Sequence, residues 1–214
     1  MILIRHGEST WNQERRIQGN LDPGLSDRGR AQAALLASRL TGRPFAALYT
    51  SPLRRAMETA AILGETIGLR PEPIDGLREI RLGAWEGKTA TEIRAEHGDA
   101  YDRWVDRPLD TSAPPGGEGI RVFQRRAITA LDMIRRGHPD RELLVVTHGG
   151  VIKAYLCHIL DLDLNRLYRI KTDNAACTEI QFRGDVPRLA RLNDARHLNG
   201  DMTAGPARGL GTDR

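Results

Sequence analysis

The chain has 214 residues, a net charge of +4, 40% hydrophobic and 28% charged residues, the proportions of a folded globular protein rather than of a disordered chain, a coiled coil or a collagen-like repeat. No apolar run approaches the roughly 18 residues that span a bilayer, and Met1-Ile2-Leu3-Ile4 before Arg5 is too short for a signal-peptide core, so the expected location is the cytoplasm, with no membrane partner. The basic excess is spread along the chain instead of forming a stripe, so nucleic acid is not an expected partner.

Ile2-Leu3-Ile4 followed by Arg5-His6-Gly7 predicts a short strand running into a glycine turn, the place where α/β sheets expose chemistry. A loop then runs to about Leu25. Ser26 is a good N-cap, and Ala31, Ala34, Leu35 and Ala37 to Leu40 supply an apolar stripe up to Thr41-Gly42-Arg43-Pro44, which predicts the first helix. Phe45 to Tyr49 reads as a strand. Ser51-Pro52 reads as a cap before proline at the first helical position, opening a second helix that ends at Ile67 before Gly68. Arg70 to Lys88 is expected to be irregular, and Thr89 and Glu92 have the spacing of a capping box opening a short helix. Residues 98 to 119, with Tyr101, Trp104 and the turn Pro114-Pro115-Gly116-Gly117-Glu118, belong to a lid-like insertion at about 88 to 118. Glu118 to Arg136 has helical periodicity. Leu143 to Val146 is a buried strand, and Thr147-His148-Gly149-Gly150 turns it into a helix from Val151 to Leu160. Cys177 to Phe182 and Arg188 to Leu192 are strands flanking Arg183-Gly184-Asp185. After His197 the apolar pattern stops, so residues 199 to 214 are expected to be a disordered tail and residues 1 to 198 a single domain. Strands alternating with helices predict an α/β fold, a three-layer α/β/α sandwich with a mostly parallel central sheet.

His6 and His148 share one setting: each follows an apolar strand and precedes glycine, so in a parallel sheet both emerge at the same edge. The alternative for either ring is a polar strand terminus. Arg54 and Arg55 lie in the first turn of the second helix, where the positive dipole end already favours an anion; Arg54 reads as solvated and Arg55, beside small Ala56, as directed at the site. Three lysines, Lys88, Lys153 and Lys171, leave 29 of the 32 basic residues as arginine, whose planar fork suits anions. Cys157 and Cys177 form no CxxC pair and read as buried free thiols. HExxH and a Cys-His cluster are absent, so no metal and no cofactor is expected.

Four motifs in order, Leu3-Ile4-Arg5-His6-Gly7-Glu8-Ser9, Ser51-x-Leu53-x-Arg55-Ala56-x-x-Thr59-Ala60, Leu77-Arg78-Glu79 and Thr147-His148-Gly149, resemble the histidine phosphatase superfamily in its phosphoglycerate-mutase-like branch, and the resemblance runs over roughly residues 2 to 198. It implies a phosphomonoesterase acting on small phosphorylated metabolites. His6 would attack phosphorus through a ring nitrogen and form a phosphohistidine, with a backbone carbonyl near the glycine turn fixing its tautomer. Arg5, Arg55 and His148 would surround the phosphoryl oxygens, with Asn12 and the Gly149 amide adding hydrogen bonds, each such donor being worth about 3 kcal/mol in the transition state. Ser9, Gln18 and Gly19, on the loop after the nucleophile, are further candidates for the phosphate pocket; Glu8 reads as a structural hydrogen bonder. Glu79 would be general acid and base; its alternative, in the run Arg78-Glu79-Ile80-Arg81, is a salt bridge. Where the family often has serine this chain has Gly119. Two other activities are set beside hydrolysis: a phosphoglycerate mutase, disfavoured because the segment Gly87 to Glu118 is short and Gly149-Gly150 stands where mutases have Gly-Asn-Ser, and a non-catalytic interaction module, disfavoured by the intact motif residues. A homodimer is left open.

Overall fold

In the computed structural model, which describes residues 1–198, each strand and helix expected from an apolar pattern is present, together with shorter elements that have no such pattern; the tail expected at 199 to 214 lies outside the described residues. In chain order the elements are β1 (Ile2–Arg5), α1 (Thr10–Gln13), α2 (Asp27–Leu40), β2 (Ala47–Thr50), α3 (Arg54–Ile67), β3 (Pro71–Pro73), α4 (Ala90–His97), α5 (Ala100–Asp106), α6 (Ile120–Arg136), β4 (Leu143–Thr147), α7 (Gly149–Ile159), β5 (Cys177–Arg183) and β6 (Val186–Asp194). Short 3₁₀ turns occupy Asp75–Leu77, Gly83–Trp85 and Leu164–Arg169.

The six strands form one sheet in the order β3-β2-β4-β1-β5-β6. The ladders β3-β2, β2-β4 and β4-β1 are parallel, whereas β5 and β6 run antiparallel at one edge. Side-chain alternation along the central strands builds the layers. Ile2, Ile4, Leu48, Leu144 and Val146 pack with Leu36 and Leu40 of α2 and Ala60 and Leu63 of α3. Leu3, Leu143 and Val145 belong to the cluster on the other face, with Phe123 and Leu131 of α6 and Tyr155 of α7. The result is the three-layer α/β/α sandwich. Register then places the chemistry: Arg5 lies opposite Thr147, so His6 and His148 leave neighbouring strands at one level.

Three local expectations are corrected. Ser51 does not cap α3, and Pro52 is not its first residue; the helix starts at Arg54 with Leu53 as an N-cap that makes no side-chain bond. The Ser51 hydroxyl accepts from the Leu53 N–H at 3.3 Å and meets Nε2 of His148 at 2.7 Å, so its position is set by the histidine. Residues 70 to 88 are not wholly irregular, because β3 adds an edge strand whose two prolines lack donors, tolerable where one side of the strand has no ladder. The loop before Leu25 contains α1, closed by a capping box in which the Ser9 side chain accepts from the Asn12 backbone and the Asn12 side chain from that of Ser9. Within residues 98 to 119, α5 drives Tyr101 and Trp104 into the main core, where both rings meet Trp85 edge-on at 5.9 and 6.2 Å. Cys157 and Cys177 are buried free thiols.

Candidate active site

His6 is 3% exposed and held by its neighbours on every side. Its Nδ1–H donates to the Gly7 carbonyl at 2.7 Å; a carbonyl can only accept, so Nε2 carries the lone pair. Its own carbonyl accepts from Asn174 Nδ2 at 3.0 Å. The next peptide is pinned by Thr59, whose hydroxyl accepts from the Gly7 N–H at 3.0 Å and donates to the Arg55 carbonyl. Backbone packs directly against this turn: a Cβ on Gly7 would stand 2.5 Å from the Gly29 carbonyl oxygen, and one on Gly29 would stand 1.9 Å from that of Glu8.

The His148 ring is fully buried with its centroid 5.2 Å from that of His6. Ser51 Oγ, which accepts from the Leu53 N–H, also meets His148 Nε2 at 2.7 Å, and Nδ1 on the other side of the ring is buried with no partner among the described residues. Both imidazoles are held well below the ordinary 6.5, chiefly by burial and then by the Arg55 guanidinium. They are neutral near pH 7.

Arg5 and Arg55 are 6% and 1% exposed. Arg5 Nη1 donates to the Thr172 carbonyl at 2.6 Å, and Arg55 donates to the carbonyls of Leu21 and Gly19 at 2.9 and 2.8 Å. Backbone oxygens thus aim both forks, yet among the described residues neither Nε has a partner. Desolvation pushes both guanidiniums down, Arg55 to about 10. Buried donors without acceptors are rare unless a ligand supplies the acceptor. Here two of them, Arg5 Nε and Arg55 Nε, together with the unpartnered His148 Nδ1, are set around the neutral His6.

Arg5, His6 and Arg55 line a cavity of about 350 Å³, together with Asn12, Gln18 and Gly19. Gly149 and Gly150, opening α7, line it too. The Asn12 carboxamide oxygen accepts from the Ser9 backbone and from Asn174 Nδ2, which leaves its NH₂ as the group to offer an anion. Ser9 and the His148 ring are not among the lining groups: Ser9 caps α1 and donates to Gln18 Oε1 at 2.8 Å, so it positions the loop. Arg54 points to solvent and pairs with Glu58, and Glu8 accepts from the Ser26 hydroxyl at 2.8 Å.

Glu79 is not salt-bridged to its arginine neighbours; Arg78 pairs with Asp75 instead. Its carboxylate accepts from the N–H groups of Ile80 and Gly150 at 2.9 and 3.0 Å and lines the same cavity. Arg126, paired with Glu118, donates to the carbonyls of Gly76 and Arg78 and so fixes the segment carrying Glu79. Several supporting residues escape sequence reasoning. Thr172 and Asn174 sit on a stretch with no periodicity, and only their bonds to Arg5 and His6 give them a role. Lys153 had a readable signal, lying four residues after Gly149 on one helix face. Among the described residues no group of three His, Cys, Asp or Glu side chains is placed to hold a metal ion, and no helix is long and apolar enough to cross a membrane.

Residues 1–195 match the model of the histidine phosphatase superfamily (branch 1). The chain is 34% identical over 198 residues to phosphoserine phosphatase 1 of Hydrogenobacter thermophilus, covering 92% of this chain and 93% of that one. It superposes on Bacillus stearothermophilus YhfR with a TM-score of 0.87 at 37% identity, over 92% of this chain and 97% of the other. The mycobacterial glucosyl-3-phosphoglycerate phosphatase, solved with VO3, gives 0.83 at 32% identity, over 91% and 98%. The matched span takes in every motif residue described above, from Arg5 and His6 to Gly149, and the chain belongs to the histidine phosphatase superfamily, branch 1.

Proposed function

We propose that this chain is a phosphatase that hydrolyses small phosphorylated metabolites through a phosphohistidine on His6. The observation that carries the reading is a neutral histidine with its Nε2 lone pair left free by the Gly7 bond, set among three buried nitrogens, Arg5 Nε, Arg55 Nε and His148 Nδ1, that have no partner among the described residues. Nε2 attacks phosphorus as the bond to the alcohol oxygen breaks, and Glu79 passes its proton to that oxygen. Arg5 and Arg55 neutralise charge on the non-bridging oxygens, and uncharged His148, Asn12 and Gly149 add hydrogen bonds. Water then attacks the phosphohistidine, Glu79 takes its proton, the P–N bond breaks, and inorganic phosphate leaves with His6 restored. Relatives named as phosphoserine and glucosyl-3-phosphoglycerate phosphatases support hydrolysis over mutase transfer, and the intact set of site residues argues against a non-catalytic module. Two free thiols fit action in a reducing compartment such as the cytoplasm.

The test is chemical. A slow phosphate ester should leave an acid-labile, base-stable label on the wild-type chain, absent from His6→Ala, whose turnover should fall by roughly 10³-fold or more. A label that persists in His6→Ala, or turnover within about tenfold of wild type, refutes the nucleophile.

A further inference from the structure

An ammonium group already stands in the cavity and shows how such a group fares there. Lys153 is 8% exposed and lines the wall together with Arg5 and Arg55. Among the described residues it makes neither an ion pair nor a hydrogen bond, and the face of Tyr168 lies 5.5 Å from its Nζ. Burial first, and then the charge of Arg5, push this ammonium from its ordinary 10.5 down to about 8. The cavity holds little to oppose them. Arg15, Arg16, Arg169 and Lys171 line it as well, and the one carboxylate among the lining residues is that of Glu79. Arg16 is paired with Glu14 and Glu92, and Lys171 with Asp173; Arg15, Lys153 and Arg169 have no ion pair among the described residues. The Glu79 oxygens accept from the N–H groups of Ile80 and Gly150, and the carboxyl carries no charge while it holds the proton for the leaving oxygen. The carbonyls of Thr172 and Gly19 already accept from Arg5 and Arg55.

A phosphate dianion balances Arg5 and Arg55, which leaves the charges of Arg15, Lys153 and Arg169 without a counter-ion when the rest of the substrate enters. Much of the remaining wall is apolar, with Leu82, Tyr101, Ile120, Phe123 and Leu167. A second ammonium would lose its water against that wall and meet like charges. A methyl group in the same place gains from the burial, so both effects have one sign. Building on the phosphatase reading above, we infer that the cavity selects phosphomonoesters whose alcohol half is apolar and carries no ammonium, with Lys153 as the specificity-determining residue that sets the exclusion. Phosphoserine, the substrate that names two of the relatives, carries an ammonium on the second carbon from the ester oxygen and falls outside this class.

The decisive comparison is between 2-aminoethyl phosphate and n-propyl phosphate, which differ in an ammonium against a methyl group, with 2-hydroxyethyl phosphate placing an uncharged polar group at the same position. Their dissociation constants are measured at pH 7 by calorimetry on the full chain carrying His6→Ala, so that none is consumed. The propyl ester should bind at least about tenfold more tightly than the aminoethyl ester, with the hydroxyethyl ester between them. Adding Lys153→Met should narrow the propyl-to-aminoethyl ratio by about threefold or more, and Lys153→Glu should narrow it further or invert it, whereas Lys153→Arg, which keeps the charge, should preserve it. A ratio within about threefold of one in the His6→Ala chain overturns the exclusion. So does a hydroxyethyl ester that binds no better than the aminoethyl ester, because polarity and not charge is then refused, and so does a ratio that Lys153→Met and Lys153→Gln both leave unchanged. Wild-type turnover of p-nitrophenyl phosphate, which has no ammonium, is followed in parallel. Turnover without discrimination against the ammonium sinks the exclusion and leaves the phosphatase standing; a Lys153-dependent discrimination with no turnover of any ester upholds the exclusion and sinks the phosphatase.

Discussion

What separates His6 from any other buried strand-end histidine is which nitrogen keeps its lone pair, and that is decided by a bond to the adjacent peptide. The two arginine forks beside it are likewise aimed by backbone oxygens, so these residues are oriented by atoms that every residue shares. This explains why motifs single out His6, Arg5, Arg55 and His148 as candidates while Thr172, Asn174 and the exchange of Ser51 from helix cap to histidine partner leave no mark in them: motifs record side chains, and carbonyl positions exist only after folding. Glu79 can be tested by making its proton matter to different degrees. With an alkyl phosphate the departing alkoxide needs protonation, so Glu79→Gln should lower kcat/KM by about 10² to 10⁴. With p-nitrophenyl phosphate the phenolate leaves unaided, and the loss should be at least tenfold smaller. Equal losses would reduce Glu79 to a holder of the Gly150 N–H, to which it is bonded at 3.0 Å.

Among the elements, those with an apolar stripe and a cap were readable: Ser26 accepts from the Gly29 N–H at 3.0 Å to open α2, and Thr89 with Glu92 closes a capping box on α4. β3 was hidden by its own prolines, α1 and α5 by their brevity, and the 3₁₀ turn Leu164–Arg169 by the lack of any period. α6 shows a defect that the sequence does reveal. Its N-cap, Gly119, has extended backbone and no side chain to accept from the first turn, and a Cβ there would meet nothing within 4 Å. Gly119→Ser should therefore stabilise the protein by about 0.5–1 kcal/mol, part from capping and part from a less flexible unfolded chain, read as a higher urea midpoint at unchanged slope. A lower midpoint would mean that the exposed site is not open as described.

For the molecule as a whole, the site is a liability that pH should reveal. His6 and His148 are neutral when folded and held well below 6.5; His197 is held down to about 4 by burial and Arg39. In the unfolded chain all three titrate near 6.5. Above that pH they contribute no dependence, because both states are neutral. Below it the unfolded state binds protons that the native state refuses, so stability must fall as pH drops from 6.5 towards 4.5, with the unfolding constant rising by up to tenfold per pH unit for each ring. Urea titrations from pH 8 to 4.5 should show this, with a shallower fall in His6→Asn; an identical slope in that variant would place His6 in a solvated setting. A last consequence follows from the meeting of the Gly7 turn with the first turn of α2. A Cβ added at either glycine would meet backbone, 2.5 Å and 1.9 Å from a carbonyl oxygen, so no side-chain substitution elsewhere can clear space for a methyl group. Gly29→Ala, a change outside the cavity lining, should cost about 1–3 kcal/mol and slow turnover by tilting His6, and alanine at both positions should be no better than the two losses combined. Most tight contacts let a sequence drift by paired changes; this one offers no such path, and across any lineage descending from this chain the two glycines are expected to stay fixed together or be lost along with the activity.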